Sequence, residues 1–239
     1  MSGKRLLLLS SSMVQGAGYL EYYKGAIEDF LGVGVKRVLF VPFAVVTTTF
    51  DEYASKVREA FGTMGYELDS VHEAVDANAA VRLAEAVVVG GGNTFHLLRG
   101  LYETGLIESI RESVMRGVPY VGWSAGSNVA CPTIRTTNDM PIVEPQSFNA
   151  LNLVPFQINP HYMDELPAGH QGETRAQRIA EFTKANPNVY VVGLREGSTL
   201  RIEDSRIRLI GEKEARVFRS GEEPVEYKPE DSLEFLFRT

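Results

Sequence analysis

The chain has 239 residues, 44% hydrophobic and 23% charged, a composition that suits a soluble globular protein and a length ample for one α/β domain with a full core. Its formal net charge of −7 argues against nucleic acid or an anionic membrane as a main partner, because phosphate binding needs a basic surface. No run approaches the roughly 18 apolar residues needed to cross a bilayer, and the single cysteine, Cys131, excludes an internal disulfide and fits a reducing compartment, the cytoplasm.

The four leucines Leu6, Leu7, Leu8 and Leu9 form too short an apolar run for a signal peptide, and no convincing small-residue cleavage site follows. They open a buried strand over 6–10. A helix is expected over 19–31, a second strand over 38–41 stopped by Pro42, and a helix toward Met64 opened by a capping box at Thr49 and Glu52. A short strand over 68–71, a helix over 76–84 and a buried strand over 86–89 come next. Helices follow from near Thr94 and over 106–116, then a strand ending at Val121. Apolar strands alternating with amphipathic helices predict an α/β fold: a mostly parallel central sheet with helices on both faces, and ligands at the carboxyl ends of its strands. Beyond the polar stretch 133–145 a strand is expected over 153–158, a helix over 172–185 and a strand over 189–194. Short segments at 199–203, 206–210 and 215–219 read as antiparallel β strands appended to the sheet at the C-terminal end. No repeat or linker interrupts the chain, so residues 1–239 are expected to form a single domain.

The sharpest local signal is Gly122-Trp123-Ser124-Ala125-Gly126, placed between an apolar strand and a helical stretch. In that context a G-x-S-x-G pattern puts a serine on a strained corner with its Oγ exposed, and points the Ala125 N–H where an oxyanion would form. A strand-to-helix turn that merely contains serine is the competing reading. A serine nucleophile needs a base. Of the four histidines, His72 lies near an early strand end, His96 in a helix and His170 in a surface loop, whereas His161 directly follows a strand behind Pro160, where Ser124 should also lie. A carboxylate must then hold the imidazole tautomer. Glu196, just beyond the strand at 189–194, is favoured by position, and Asp139 in the loop before is the alternative. The order serine, histidine, acid differs from the α/β-hydrolase order, in which the acid precedes the histidine. A second glycine cluster, Gly90-Gly91-Gly92-Asn93-Thr94, follows a strand and opens a helix; it fits neither a P-loop nor G-x-G-x-x-G, but the Gly92 N–H could join Ala125 in a two-donor oxyanion hole.

Taken together, Pro42-Phe43-Ala44, Val89-Gly90-Gly91-Gly92-Asn93-Thr94-Phe95, the serine block, the run from Cys131 through Thr136-Thr137-Asn138-Asp139-Met140 to Val143, Gln157-Ile158-Asn159-Pro160-His161 and Gly172-Glu173-Thr174-Arg175 resemble the peptidase E family of α-aspartyl dipeptidases over nearly the whole chain. The resemblance implies a fold similar to the class I glutamine amidotransferases, with serine in place of their cysteine. It implies hydrolysis of peptides with N-terminal aspartate, with Ser124, His161 and Glu196 as catalytic residues and Asp139 as the alternative acid. A carboxylate-reading pocket calls for a cation, for which arginine's bidentate fork is suited. Arg175, in the matching block, is the first candidate, ahead of Arg135 and Arg178. Glu173 is a candidate for the substrate's amino group, and Asn93 and Tyr162 for the pocket border. Cys131 is expected about two turns along the helix after Ser124, as packing. The histidines lack ligand spacing, so neither metal nor cofactor is expected. The expected partner is a small peptide with N-terminal Asp, and the state monomer or homodimer. Rival readings are a cyanophycinase-like aspartyl-polymer hydrolase and a catalytically silent aspartyl-peptide-binding protein.

Overall fold

The computed structural model describes residues 3–165, 171–229 and 231–238. In chain order the elements are β1 (Arg5–Leu9), α1 (Lys24–Leu31), β2 (Arg37–Val41), α2 (Phe50–Gly62), β3 (Glu67–Ser70), α3 (Ala77–Leu83), β4 (Val87–Val89), α4 (Thr94–Glu103), α5 (Leu106–Met115), β5 (Tyr120–Trp123) and α6 (Ala125–Asn128). They continue with β6 (Gln157–Pro160), α7 (Arg175–Ala185), β7 (Val191–Leu194), β8 (Thr199–Glu203), β9 (Arg206–Ile210), β10 (Ala215–Phe218) and β11 (Val225–Tyr227). The central sheet has seven strands in the order β3-β2-β4-β5-β1-β8-β9, the first five parallel and β8 and β9 antiparallel. Alternation along β1 sends Leu6 and Leu8 into one layer and Leu7 and Leu9 into the other. The second layer is closed by Phe30 of α1 and Val57 and Phe61 of α2, the first by Leu97 and Leu101 of α4 and Ile110 of α5. The expected mostly parallel sheet with helices on both faces is therefore present.

Four details differ from the sequence reading. The helix expected from Tyr19 begins only at Lys24, after a 3-10 turn over Glu21–Tyr23, because Leu20 turns left-handed at φ 58°. The strand expected over 153–158 is Gln157–Pro160; Pro155 cannot donate to a ladder, which starts beyond it. The strand expected to end at Val121 runs on to Trp123, pairing Gly122 with Leu8 and Trp123 with Leu9. Finally, the C-terminal strands divide. β8 and β9 extend the central sheet, but β10 turns away into a separate four-stranded sheet, β11-β10-β7-β6, in which β6 and β7 run parallel. Ile158, Val192, Leu194 and Val217 of that sheet belong to the same buried cluster as Leu6 and Leu8, so the two sheets share a core. Among the described residues, no helix is long and apolar enough to cross a membrane.

Candidate active site

Ser124 stands immediately beyond β5 with φ 53° and ψ −114°, a conformation L-residues avoid, which the surrounding packing must hold in place. Its N–H donates to Leu9 O at 3.1 Å, tying the corner to β1. The turn is this tight because its glycines have no side chain: a Cβ on Gly122 would meet the Gly126 carbonyl, and one on Gly126 would run into the Val89 carbonyl. The helix that follows is a single turn, so Ala125 N–H, first in α6, has no carbonyl to bond within it. Cys131 consequently lies beyond the helix rather than two turns along it; Pro132 disfavours helical backbone at the residue before it. It is fully buried, and burial pushes its thiol up to about 12.

His161 and Glu196 come from the second sheet. Parallel pairing sets Pro160 opposite Leu194, so the two chains leave the sheet side by side. His161 Nδ1 lies 2.6 Å from Glu196 Oε1 and its Nε2 2.9 Å from Ser124 Oγ. With the Nδ1–H donating to the carboxylate, Nε2 is left to accept the serine proton. His161 also turns left-handed, at φ 53°. Ser10, at the carboxyl end of β1, joins the sheets: its hydroxyl donates to Leu194 O at 2.6 Å and accepts from His161 N at 2.9 Å. Beyond His161, Arg195 holds Asp164 by two hydrogen bonds of 2.8 and 2.6 Å, which keeps that carboxyl below its ordinary range.

The glycine loop after β4 passes directly against the serine, since a Cβ on Gly91 would come within 2.9 Å of Ser124 Cβ. Gly92 has φ 140° and lies against the Ala44 carbonyl, a position only glycine takes without strain. Among the described residues, neither the Gly92 nor the Ala125 N–H has a hydrogen-bond partner. The Tyr53 hydroxyl donates to Gly91 O at 3.0 Å and accepts from Trp123 Nε1 and from the Tyr19 hydroxyl, both at 3.2 Å. Ser10 and Tyr53 are absent from the sequence reading. The serines ending the first strand were a usable signal for Ser10, but nothing local marks Tyr53.

The other candidates separate clearly. Asp139 does not touch His161: its Oδ2 accepts from Thr94 N at 2.8 Å, Thr94 Oγ1 at 2.6 Å and Thr137 Oγ1 at 3.1 Å, satisfying the start of α4. Asn93 is the N-cap of α4, accepting from His96 N, and its amide donates to Met140 O at 2.8 Å. Arg175 opens α7, half-buried and with no ion pair among the described residues; burial, then Arg178, lowers its pKa while Asp139 opposes them. Glu173 faces Arg178 at 3.8 Å, and Arg135 stacks over Phe148. Tyr162 does not line the cleft over Ser124: it is buried against Phe218 and Ile179, because the left-handed turn at His161 sends neighbouring side chains in different directions. His96 Nδ1 donates to Phe43 O at 2.6 Å, while His72 sits between Ser70 Oγ at 2.7 Å and Asp51 at 2.9 Å, remote roles for both. Asp51, His72 and Glu73 bring potential ligand atoms within 4.8 Å of one another, but Glu73 is held by Arg58 and each histidine nitrogen has a partner. His170 falls outside the described residues.

A cleft of about 540 Å³ opens over Ser124 and His161 between the glycine loop and a wall formed by Ser12, Tyr19 and Lys56. Arg175 does not line it. The model of the family described as Peptidase family S51 matches residues 6–210. Peptidase E of Nostoc sp. (strain PCC 7120) is 57% identical over 233 residues, 98% of this chain and 96% of that protein. Peptidase E of Escherichia coli strain 536 is 48% identical over 220 residues, 92% of this chain and 96% of that protein. Two solved structures share the fold: a peptidase from an acI-B1 Actinobacterium, at TM-score 0.69 and 19% identity over 97% of each chain, and a Listeria monocytogenes EGD-e protein, at TM-score 0.67 and 23% identity over 88% of this chain and 99% of that one.

Proposed function

The chain belongs to peptidase family S51 and is a serine-type peptidase, and from that premise we propose that it cuts dipeptides and short peptides after an N-terminal aspartate, through an acyl-enzyme on Ser124. The observation that carries this reading is the hydrogen-bonded line from Ser124 Oγ through His161 to Glu196.

In this scheme Ser124 Oγ attacks the scissile carbonyl carbon as its proton passes to His161 Nε2. The carbonyl oxygen takes negative charge, which the Gly92 and Ala125 N–H groups receive. The C–N bond then breaks, and His161 gives its proton to the departing amine. Water attacks the acyl-enzyme with His161 again as base, releasing aspartate and restoring the serine. Glu196 orients the imidazole and stabilises its charged form. Asp139, engaged at the start of α4, is a support for the loop in this reading. Arg175 reads the aspartate side chain: a half-buried guanidinium that forms no ion pair among the described residues is poised for an anionic ligand. Glu173 receives the substrate ammonium in competition with Arg178.

The test is hydrolysis of Asp-Leu beside Glu-Leu, Leu-Leu and N-acetyl-Asp-Leu, with Ser124→Ala as control. Cleavage of Asp-Leu alone, lost in the variant, is the expected outcome. Equal cleavage of Leu-Leu, or activity surviving in Ser124→Ala, would refute the reading.

A further inference from the structure

We propose that Lys56 forms a subsite for the C-terminal carboxylate of the leaving residue, so that a free dipeptide is preferred to the same sequence continued as an amide; this rests on the reading that Ser124 attacks an Asp-Xaa bond.

Lys56 lies on α2 and borders the same cleft as Ser124 and His161. Its Nζ stands 4.1 Å from the centroid of the Tyr19 ring, a contact that positions an ammonium without neutralising it. Among the described residues it forms no ion pair. Glu52, one turn earlier on the same wall, uses its Oε2 in the capping box that opens α2, accepting from the Thr48 hydroxyl and the Thr49 N–H, and among the described residues makes no ion pair with Lys56. The wall therefore presents one ammonium with three donors that, among the described residues, no carboxylate meets in an ion pair, the neighbouring Glu52 included.

The direction of departure brings the leaving residue to that ammonium. His161 protonates the leaving amine, so the leaving residue must pass on the His161 side of Ser124. The His161 N–H is bonded to Ser10 Oγ, and the chain continuing from Ser10 carries Ser12 and Tyr19 onto the cleft wall. A residue leaving past His161 runs along this wall toward Lys56. Arg175 lies outside that lining, at the start of α7. α2 packs on the face of the central sheet that holds Trp123, Leu7 and Leu9, whereas α7, through Ile179, packs with Tyr162 and Val191 against the second sheet. In the proposed reading the two carboxylates of an aspartyl dipeptide, the side chain and the C-terminus, go to two separate cations, Arg175 and Lys56. A longer peptide puts an amide where the second carboxylate would be, and the Lys56 contribution disappears.

The experiment compares kcat/KM for Asp-Leu and Asp-Leu amide in the wild type, Lys56→Met and Lys56→Arg. Lys56→Met keeps the stem over Tyr19 and removes only the charge. The wild type is expected to prefer Asp-Leu by about five- to tenfold, as a charge-assisted bond at an exposed rim allows. That ratio should fall toward one in Lys56→Met, persist in Lys56→Arg, and shrink in the wild type as salt rises. Because the readout is a ratio within one protein, loss of folded enzyme does not imitate it. A wild type without the preference, or a ratio unchanged in Lys56→Met, overturns the proposal. If the wild type cleaves neither peptide, the Asp-Xaa reading itself falls and the subsite with it.

Discussion

Replacing Tyr53 by Phe removes one oxygen, and the geometry says what that oxygen does. Its single proton goes to Gly91 O and both lone pairs are occupied, by Trp123 Nε1 and the Tyr19 hydroxyl. The Gly91 carbonyl and the Gly92 N–H are opposite ends of one planar peptide, so a bond that holds the carbonyl in place also aims the N–H. Deleting an oxyanion donor outright typically costs roughly 100- to 1000-fold in rate, which is the ceiling here. Tyr53→Phe keeps the donor and loosens its aim, so kcat on Asp-Leu should fall about tenfold with KM within about twofold, since the oxyanion exists only in the transition state. Trp123 Nε1 and Gly91 O also lose a partner in a buried setting, at about 2 kcal/mol together, which lowers Tm by roughly 4–8 °C for a chain of this size. Steady-state kinetics well below the lowered Tm separate the two effects. Binding of an aspartyl aldehyde, which forms a tetrahedral adduct, should weaken in step with kcat/KM, while binding of the product aspartate should not. A variant that melts early yet keeps wild-type kcat and aldehyde affinity would show that Tyr53 only packs, and the aiming argument would be wrong.

Other substitutions test separate parts of the scheme. Glu196→Gln should lower kcat by roughly 100- to 10,000-fold, because an amide can hold the imidazole in the wrong tautomer, and the drop should exceed that of Asp139→Asn at least tenfold; comparable losses would return the triad acid to Asp139. Arg175→Ala should raise KM for Asp-Leu far more than it affects a substrate with a neutral N-terminal residue, and equal losses on both would remove its selective role. Ser124→Gly should abolish activity yet raise Tm by about 2–4 °C, because glycine accepts backbone angles that strain serine by roughly 1–3 kcal/mol and its own entropic cost of roughly 0.5–1 kcal/mol leaves a net gain of about 1 kcal/mol; a lower Tm would mean the corner is not strained. Cys131, buried and with its thiol pushed up to about 12, should resist thiol reagents at pH 8 until the chain unfolds, and rapid labelling of the native protein would contradict its burial.

Most of the central sheet was readable because each strand is a run of apolar residues bounded by a turn signal, and because Thr49 with Glu52 announced a helix start that the capping box then realises. The serine corner was readable because two glycines at fixed offsets are a steric requirement of the backbone there, not a preference. Pairing partners were another matter. Nothing in the segment Ala215–Phe218 says that it joins Val191–Leu194 rather than the neighbouring Arg206–Ile210, and the second sheet could not be foreseen from patterns local to each strand. The same gap left Glu196 and Asp139 in competition. Each stands in a polar loop, and only the register of β6 against β7 brings one of them to His161. Asp139 was equally invisible as a partner of Thr94, since that contact spans 45 residues.

The placement of the three hydrogen-bonded residues has a consequence for how the site keeps its geometry. Ser124 belongs to the central sheet, while His161 and Glu196 belong to the second, so the 2.9 Å contact between Nε2 and Oγ is a distance between sheets rather than within one element. Ser124 and His161 both hold φ at 53°, which neither would keep alone. What holds them is shared: the buried cluster running from Leu6 and Leu8 through Ile158 to Val192 and Leu194, and the Ser10 hydroxyl bonded to both Leu194 and His161. A change in that seam shifts base against nucleophile without touching the cleft wall around Tyr19 and Lys56. Core substitutions between the sheets should therefore lower kcat before they alter KM, whereas changes on the wall should do the reverse.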